Sequence, residues 1–346
     1  MEPDMDLGGL WYWLLAGMLI VYVVLDGFDL GAGAVMALVA RDERERSLVL
    51  RSLGPVWDGN EVWLLAAGGV LVLAFPRVYA AAFSGFYLPL MLVLWLLTFR
   101  ALAIELHHHL GSTVWLPLFE LAFAAASSVL ALVLGAALGN VVRGVDADGQ
   151  GHFFLPLFTD FSARPPLGIL DWYTLLAGLT ALVALGRHGA FWLNWKTGGP
   201  VQARAQGLAR GLEPVLIVLA LLLTAATAFV QPMALQAMEL HPGCMVFPAL
   251  ACAGLWLSHA ALKRGAELRA WTGSAFFLAG LLGCAAAGLY PTLLPSVVPG
   301  QSLTVANSAS ADYTLATGLI WWLPAMALAA LYFTILYRSL PRKFRD

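Results

Sequence analysis

Nine long apolar stretches follow one another along the chain, at about 8–39, 54–75, 79–104, 114–141, 168–186, 212–231, 244–262, 271–290 and 312–337. A helix rises 1.5 Å per residue and needs about 20 mostly apolar residues to cross a bilayer. Each stretch comes close to or passes that length, and 168–186 is the weakest of the nine. The connections 142–167 and 291–311 are long and polar enough to lie outside the bilayer. Nowhere do apolar and polar residues alternate with the period of a barrel strand. The pattern predicts an all-α integral membrane protein of about nine transmembrane helices, with residues 1–346 forming a single polytopic domain. The chain opens Met1-Glu2-Pro3-Asp4, acidic where a cleaved leader needs positive charge. The first stretch is therefore expected to be a retained helix.

Lys and Arg gather on the cytoplasmic side of membrane proteins. One set of alternate connections holds Arg41, Arg44, Arg46 and Arg51, then Arg100, then Arg187, Lys196, Arg204 and Arg210. The same set continues with Lys263, Arg264 and Arg269 and ends with Arg338, Arg342, Lys343 and Arg345. These are 16 of the 19 basic residues, against Arg77, Arg143 and Arg164 on the other face. The split predicts the N-terminus outside and the C-terminus in the cytoplasm.

Composition narrows the function classes. Of 346 residues, 60 % are hydrophobic and 12 % charged, and the net charge is −2. Soluble domains carry about 25 % charged residues, so a soluble enzyme and a disordered chain are excluded. No basic block exists to meet a phosphate backbone, which excludes a nucleic-acid binder. Cys244, Cys252 and Cys284 are odd in number and form no C-x-x-C, so neither a disulfide framework nor a zinc site is indicated. No Walker A loop, dinucleotide fingerprint or metal-ligand spacing is present.

The chemistry lies in charges that interrupt the apolar stretches. Charges there are costly and normally face a protein interior or a water-lined path. Asp26 and Asp29 sit in the first stretch, with Asp29 roughly 15 Å from its cytoplasmic end at helical rise. Asp58 and Glu61 sit in the second, Asp58 roughly 10 Å in. Arg100 and Glu105 close the third on the same side. A string of partly hydrated carboxylates could pass protons inward, with Arg100 as the charge partner that keeps one of them ionised. A bland reading stands beside this one. Asp58 and Glu61 have the spacing of a capping box, and Gly27 and Gly31 form a small-residue packing face. Proton relay is assigned to Asp58 and Asp26, a structural role to Asp29 and Glu61.

Histidines could ligate haem. His107, His108 and His109 read as a solvated interfacial run, and His152 and His241 fall in or beside outside connections. His188 and His259 read as interfacial anchors near cytoplasmic helix ends. With no His in the middle of a helix, a haem within this chain is not expected. Trp11, Trp13, Trp192, Trp195, Trp321 and Trp322 read as an aromatic belt.

Within residues 26–105, three motifs occur in order. They are Asp26-Gly27-Phe28-Asp29-Leu30-Gly31, Gly54-Pro55-Val56-Trp57-Asp58-Gly59-Asn60-Glu61-Val62-Trp63, and Phe75-Pro76-Arg77-Val78-Tyr79-Ala80 running on to Phe99-Arg100. Together they resemble the subunit II family of cytochrome bd quinol oxidases. The resemblance implies two four-helix bundles plus one extra helix, and a heterodimer with a haem-bearing subunit I that holds haems b558, b595 and d. It implies quinol oxidation coupled to O₂ reduction, with protons drawn from the cytoplasm, and it places Asp26, Asp58 and Glu105 at acidic positions proposed for that proton path. Some members of the family also hold a structural quinone or small single-helix accessory subunits, and no motif here identifies either. Two rival classes share intramembrane acids: a proton-coupled secondary transporter and a purely structural membrane partner. The transporter needs inverted repeats, and no second copy of the acidic blocks occurs in the C-terminal half.

Overall fold

The computed structural model describes residues 6–109, 115–148 and 151–344, the side chains of 107–109 and 239–240 excepted. The solvated run expected at His107–His109 therefore falls on side chains outside the described residues.

Helix α1 (Leu7–Val39) starts where the Asp6 carboxylate accepts from the Gly9 amide. A short helix α2 (Glu43–Leu53), not expected from the apolar pattern, begins at the Asp42 cap. The chain then bends by 47° through Gly54–Val56 into α3 (Trp57–Ala74). Helices α4 (Pro76–Gly85) and α5 (Tyr87–His109) divide the stretch read as 79–104. The Phe153 ring occupies the space beside Gly85, where an added Cβ would lie 2.2 Å from it. Next come α6 (Leu116–Arg143), α7 (Trp172–Lys196), α8 (Gly199–Val230), α9 (Pro232–Leu240), a 3₁₀ turn (Pro242–Met245), α10 (Val246–Lys263) and α11 (Glu267–Leu289). An antiparallel pair, β1 (Thr292–Leu294) and β2 (Leu303–Thr304), leads through α12 (Val305–Ser308) to α13 (Asp312–Ser339). Among the described residues, eight helices are long and apolar enough to cross a membrane, or nine if α2 and α3 count as one broken span.

Helix α1 is the hub, packed by α3, α6, α7 and α11, while α13 leans on α1 and α3. The α1–α7 seam is close because it is built from glycine. A Cβ on Gly189 would lie 2.1 Å from the Ala32 nitrogen, and one on Gly31 would lie 1.8 Å from the Leu185 carbonyl oxygen. Small residues at such crossings let backbones approach and dispersion contacts accumulate.

The stretch read as 168–186 is corrected. Helix α7 continues to Lys196 because the two polar residues that looked like its end are satisfied inside the protein. The buried Arg187 guanidinium donates to Glu213 at 3.2 Å, to Ser258 at 3.1 Å and to the Ala209 carbonyl. His188, read as an interfacial anchor, is instead buried two turns before the helix ends. One ring nitrogen lies 3.0 Å from the Val24 carbonyl oxygen and the other 3.0 Å from the Ser274 hydroxyl. It thereby ties α1, α7 and α11 together.

Helix α2 is docked by two ion pairs at 2.5 Å, Arg46 with Glu120 and Arg204 with Glu45. The hydrogen bond from Arg204 holds the Glu45 carboxyl below its ordinary value. A depressed carboxylate adds stability above its unfolded pKa and loses it as pH falls through the folded one. Thermal stability is expected to drop by up to about 1 kcal/mol as pH goes below about 4. In a melting series against pH, that increment should vanish in Arg204→Gln.

Candidate functional site: a buried carboxylate cluster between helices α1, α3, α5 and α13

The three middle elements of the sequence motifs meet at one level of the bundle. Asp26 and Asp29 lie on α1, three residues apart and so on neighbouring positions of one helix face. Both are fully buried. Arg100 reaches in from α5, also fully buried, and grips Asp26 with two hydrogen bonds, Nη1 to Oδ2 at 3.0 Å and Nη2 to Oδ1 at 2.5 Å. Such a fork suits a fixed ion pair, because both carboxylate oxygens are occupied. The same Nη2 stands 3.8 Å from Glu61 Oε2 on α3. Tyr22, one turn before Asp26, lies within electrostatic reach of the pair.

Asp29 is held differently. Its Oδ2 accepts from the Asn60 side chain at 2.8 Å, and its buried Oδ1 has no hydrogen-bond partner among the described residues. Asn60 also donates to the Leu25 carbonyl, and its own amide oxygen accepts from the Tyr337 hydroxyl at 2.9 Å. A continuous line of polar contacts therefore joins α1, α3 and α13.

Sequence reasoning placed the relay on Asp58 and Asp26 and gave Asp29 and Glu61 a structural role. The structure brings Asp26, Asp29, Glu61 and Arg100 into one cluster and leaves Asp58 at its edge. The 47° bend puts Asp58 in the first turn of α3, not 10 Å along a continuous helix, and its side chain is exposed. The capping box of Asp58 and Glu61 does not form, because Val56 occupies the N-cap and no side chain caps the helix. Asp58 stays within electrostatic range of Glu61. Glu105 lies near the end of α5, exposed, in the wall of an open cavity of about 400 Å³. Arg51, Pro55, Trp57 and Phe344 share that wall, so the cavity sits at the α2–α3 bend.

Asn60 and Tyr337 went unrecognised from sequence. A signal for Asn60 was available: it shares a helix stripe with Ala67 and Ala74, two of the buried positions of α3, whereas Asp58 shares one with Val62, Leu65 and Val72, which are exposed. Tyr337 gave none, since its partner is 277 residues away.

Among the described residues no three His, Cys, Asp or Glu side chains gather as a metal set. His188 has both ring nitrogens engaged and presents none to an axial position.

Comparison with known proteins gives a consistent result. A family profile described as cytochrome bd terminal oxidase subunit II matches residues 7–340. The probable cytochrome oxidase subunit 2 of Haemophilus influenzae is 32 % identical over 349 aligned residues, covering 93 % of this chain and 91 % of that protein. The cytochrome bd-I ubiquinol oxidase subunit 2 of Escherichia coli is 36 % identical over 200 residues, 58 % of this chain and about half of that protein. A chain of the bd oxidase structure from Geobacillus thermodenitrificans superposes with a TM-score of 0.77 over 96 % of this chain and 98 % of that one, at 16 % identity. This last likeness concerns the fold.

Proposed function

The chain belongs to the cytochrome bd terminal oxidase subunit II family, and from that membership we propose that it serves a quinol:O₂ oxidoreductase in two ways: it supports the haem-bearing subunit I and supplies a proton path from the cytoplasm. Haems b558, b595 and d are assigned to subunit I, and no step here passes through them. Reducing O₂ to water consumes protons, and a subunit that spans the membrane can deliver them through its own acids.

The observation that carries this reading is the pairing of a locked carboxylate with an open one. Arg100 holds Asp26 as a fixed charge. Asp29, three residues on, has one oxygen without a partner among the described residues, which suits it to accept a proton. Protons enter at the bend cavity beside Glu105 and at Asp58, pass Glu61, and reach Asp29 under the field of the Asp26–Arg100 pair. Asn60 and Tyr337 orient Asp29. The basic residues near the cavity support a cytoplasmic position for it under the positive-inside rule.

The α3 face that carries Asp58 supports the docking role. Val62, Leu65 and Val72 on that face are 51 %, 73 % and 45 % exposed. A carboxylate facing lipid is costly, whereas the same residue under a partner subunit can be paired or hydrated. Subunit I is proposed to cover it.

Asp58→Asn is expected to lower oxidase turnover about tenfold or more, equivalent to about 1.4 kcal/mol on the rate-limiting barrier, while the haem spectrum of the purified complex stays intact. Normal turnover at saturating quinol would remove Asp58 from the path. Failure of the complex to assemble would favour the purely structural role.

A further inference from the structure

The connection between α6 and α7 carries large apolar side chains outward. Phe154 is 79 % exposed, Leu157 52 %, Phe158 58 % and Phe161 41 %. Exposure here does not come with a loose chain. The Ile169 and Leu170 amides donate to the Pro156 and Leu157 carbonyls, the Asp160 carboxylate accepts from the Ser162 amide, and the Thr159 hydroxyl donates to the Pro166 carbonyl. Phe161 adopts a φ of 66°, a left-handed conformation uncommon for an aromatic residue. An ordered loop thus holds a residue in an unfavourable conformation and still shows its ring to the outside. The Phe158 and Phe161 rings are neighbours, with centroids 6.1 Å apart.

The height of this patch on the bundle is fixed by three contacts. The Phe161 carbonyl accepts from the Trp172 amide, at the start of α7. The Tyr173 hydroxyl meets the Thr227 hydroxyl of α8 at 2.9 Å. The Arg164 guanidinium lies 5.8 Å over the Phe229 ring, two residues further along α8. The patch therefore sits level with the last turn of α8. Between Glu213 and Gln231 that helix has no ionisable residue, and Val218, Leu221, Leu222 and Phe229 are exposed along it. An uncharged exposed face suits hydrocarbon, unlike the α3 face with its Asp58. The loop aromatics continue this face to its end, where a cation appears.

We infer that residues 154–164 form a membrane-interface anchor, with Phe158 and Phe161 entering the boundary between acyl chains and headgroups and Arg164 at the level of the lipid phosphates. Aromatic rings and arginine partition to that layer because it accepts an apolar body beside a charged head. The anchor holds the α7–α8 end of the subunit against the bilayer.

The test places the photo-cross-linking residue p-benzoylphenylalanine at Phe158 in the full complex, irradiated in native membranes, with intact haem absorbance as the check on assembly. Mass spectrometry of the segment should find phospholipid adducts, and the same substitution at exposed His152 should give none. A cross-link from position 158 to another polypeptide would overturn the inference and mark a docking surface. Absence of any adduct at 158 would overturn it too, by placing the ring in water. If the change at 158 prevents assembly, positions 154 and 161 give the same readout.

Discussion

Replacing Arg100 by leucine is expected to cost the subunit about 3–5 kcal/mol, the penalty for leaving a buried charge without its partner. Asp26 is fully buried and receives two hydrogen bonds from that one guanidinium, and the neutral Tyr22 hydroxyl beside it does not replace the lost charge. The complex should lose haem absorbance at a markedly lower temperature and reach the membrane in small amounts. Stability should largely return in the double variant Asp26→Leu with Arg100→Leu, because replacing a whole buried ion pair by apolar side chains is often neutral. Activity should not return with it, since the double variant removes the field that acts on Asp29. A double-mutant cycle on thermal midpoints and turnover separates the two contributions. If the double variant were as unstable as Arg100→Leu alone, the pairing would not be the source of the loss.

The second large effect lies at the α1–α7 seam. Gly189→Ala drives a methyl group to 2.1 Å from the Ala32 nitrogen and 2.2 Å from the Gly31 carbonyl carbon, both backbone atoms that no rotamer change can move. Overpacking typically costs about 1–3 kcal/mol, and this site belongs at the upper end because two helix backbones must separate. Gly17→Ala supplies the control. It sits on α1 with nothing within 4 Å of its Cβ position, so it should be neutral or gain about 0.5–1 kcal/mol from helix propensity. Thermal midpoints of the two variants should thus move in opposite directions or leave Gly17→Ala unchanged. Equal losses would mean that the seam is not what holds α1 to α7.

These two sites also mark what was legible in the sequence. Apolar length located the spans, because the bilayer imposes the same requirement on each of them. It misjudged α7, where Arg187 and His188 looked like the polar end of a helix but are satisfied by Glu213, Ser258, Ser274 and the Val24 carbonyl. Those partners come from other helices and leave no local trace. The break at Phe86 left no trace in the apolar pattern, and neither did the packing of Phe153 beside Gly85. At the site, residue type pointed to Asp26, an acid inside an apolar stretch, and to Arg100 at the cytoplasmic end of another as its charge partner; the full burial of Arg100 was not legible. Direction was harder to read. Asp58 and Asn60 are two residues apart and face opposite sides of α3, so the motif contains both the exposed acid and the buried amide without distinguishing them. The division of labour between Asp26 and Asp29 rests on which of them Arg100 reaches, a matter of tertiary geometry.

Proton uptake during turnover tests the central claim most directly. Complex carrying Asp58→Asn, with its haem spectrum unchanged, would be reconstituted in vesicles and given a single charge of O₂ in the reduced state. A pH-sensitive dye on the cytoplasmic face would follow the protons. The path described here predicts that uptake slows in step with turnover, by about tenfold or more. Uptake at the wild-type rate would contradict it and place the proton route outside this subunit.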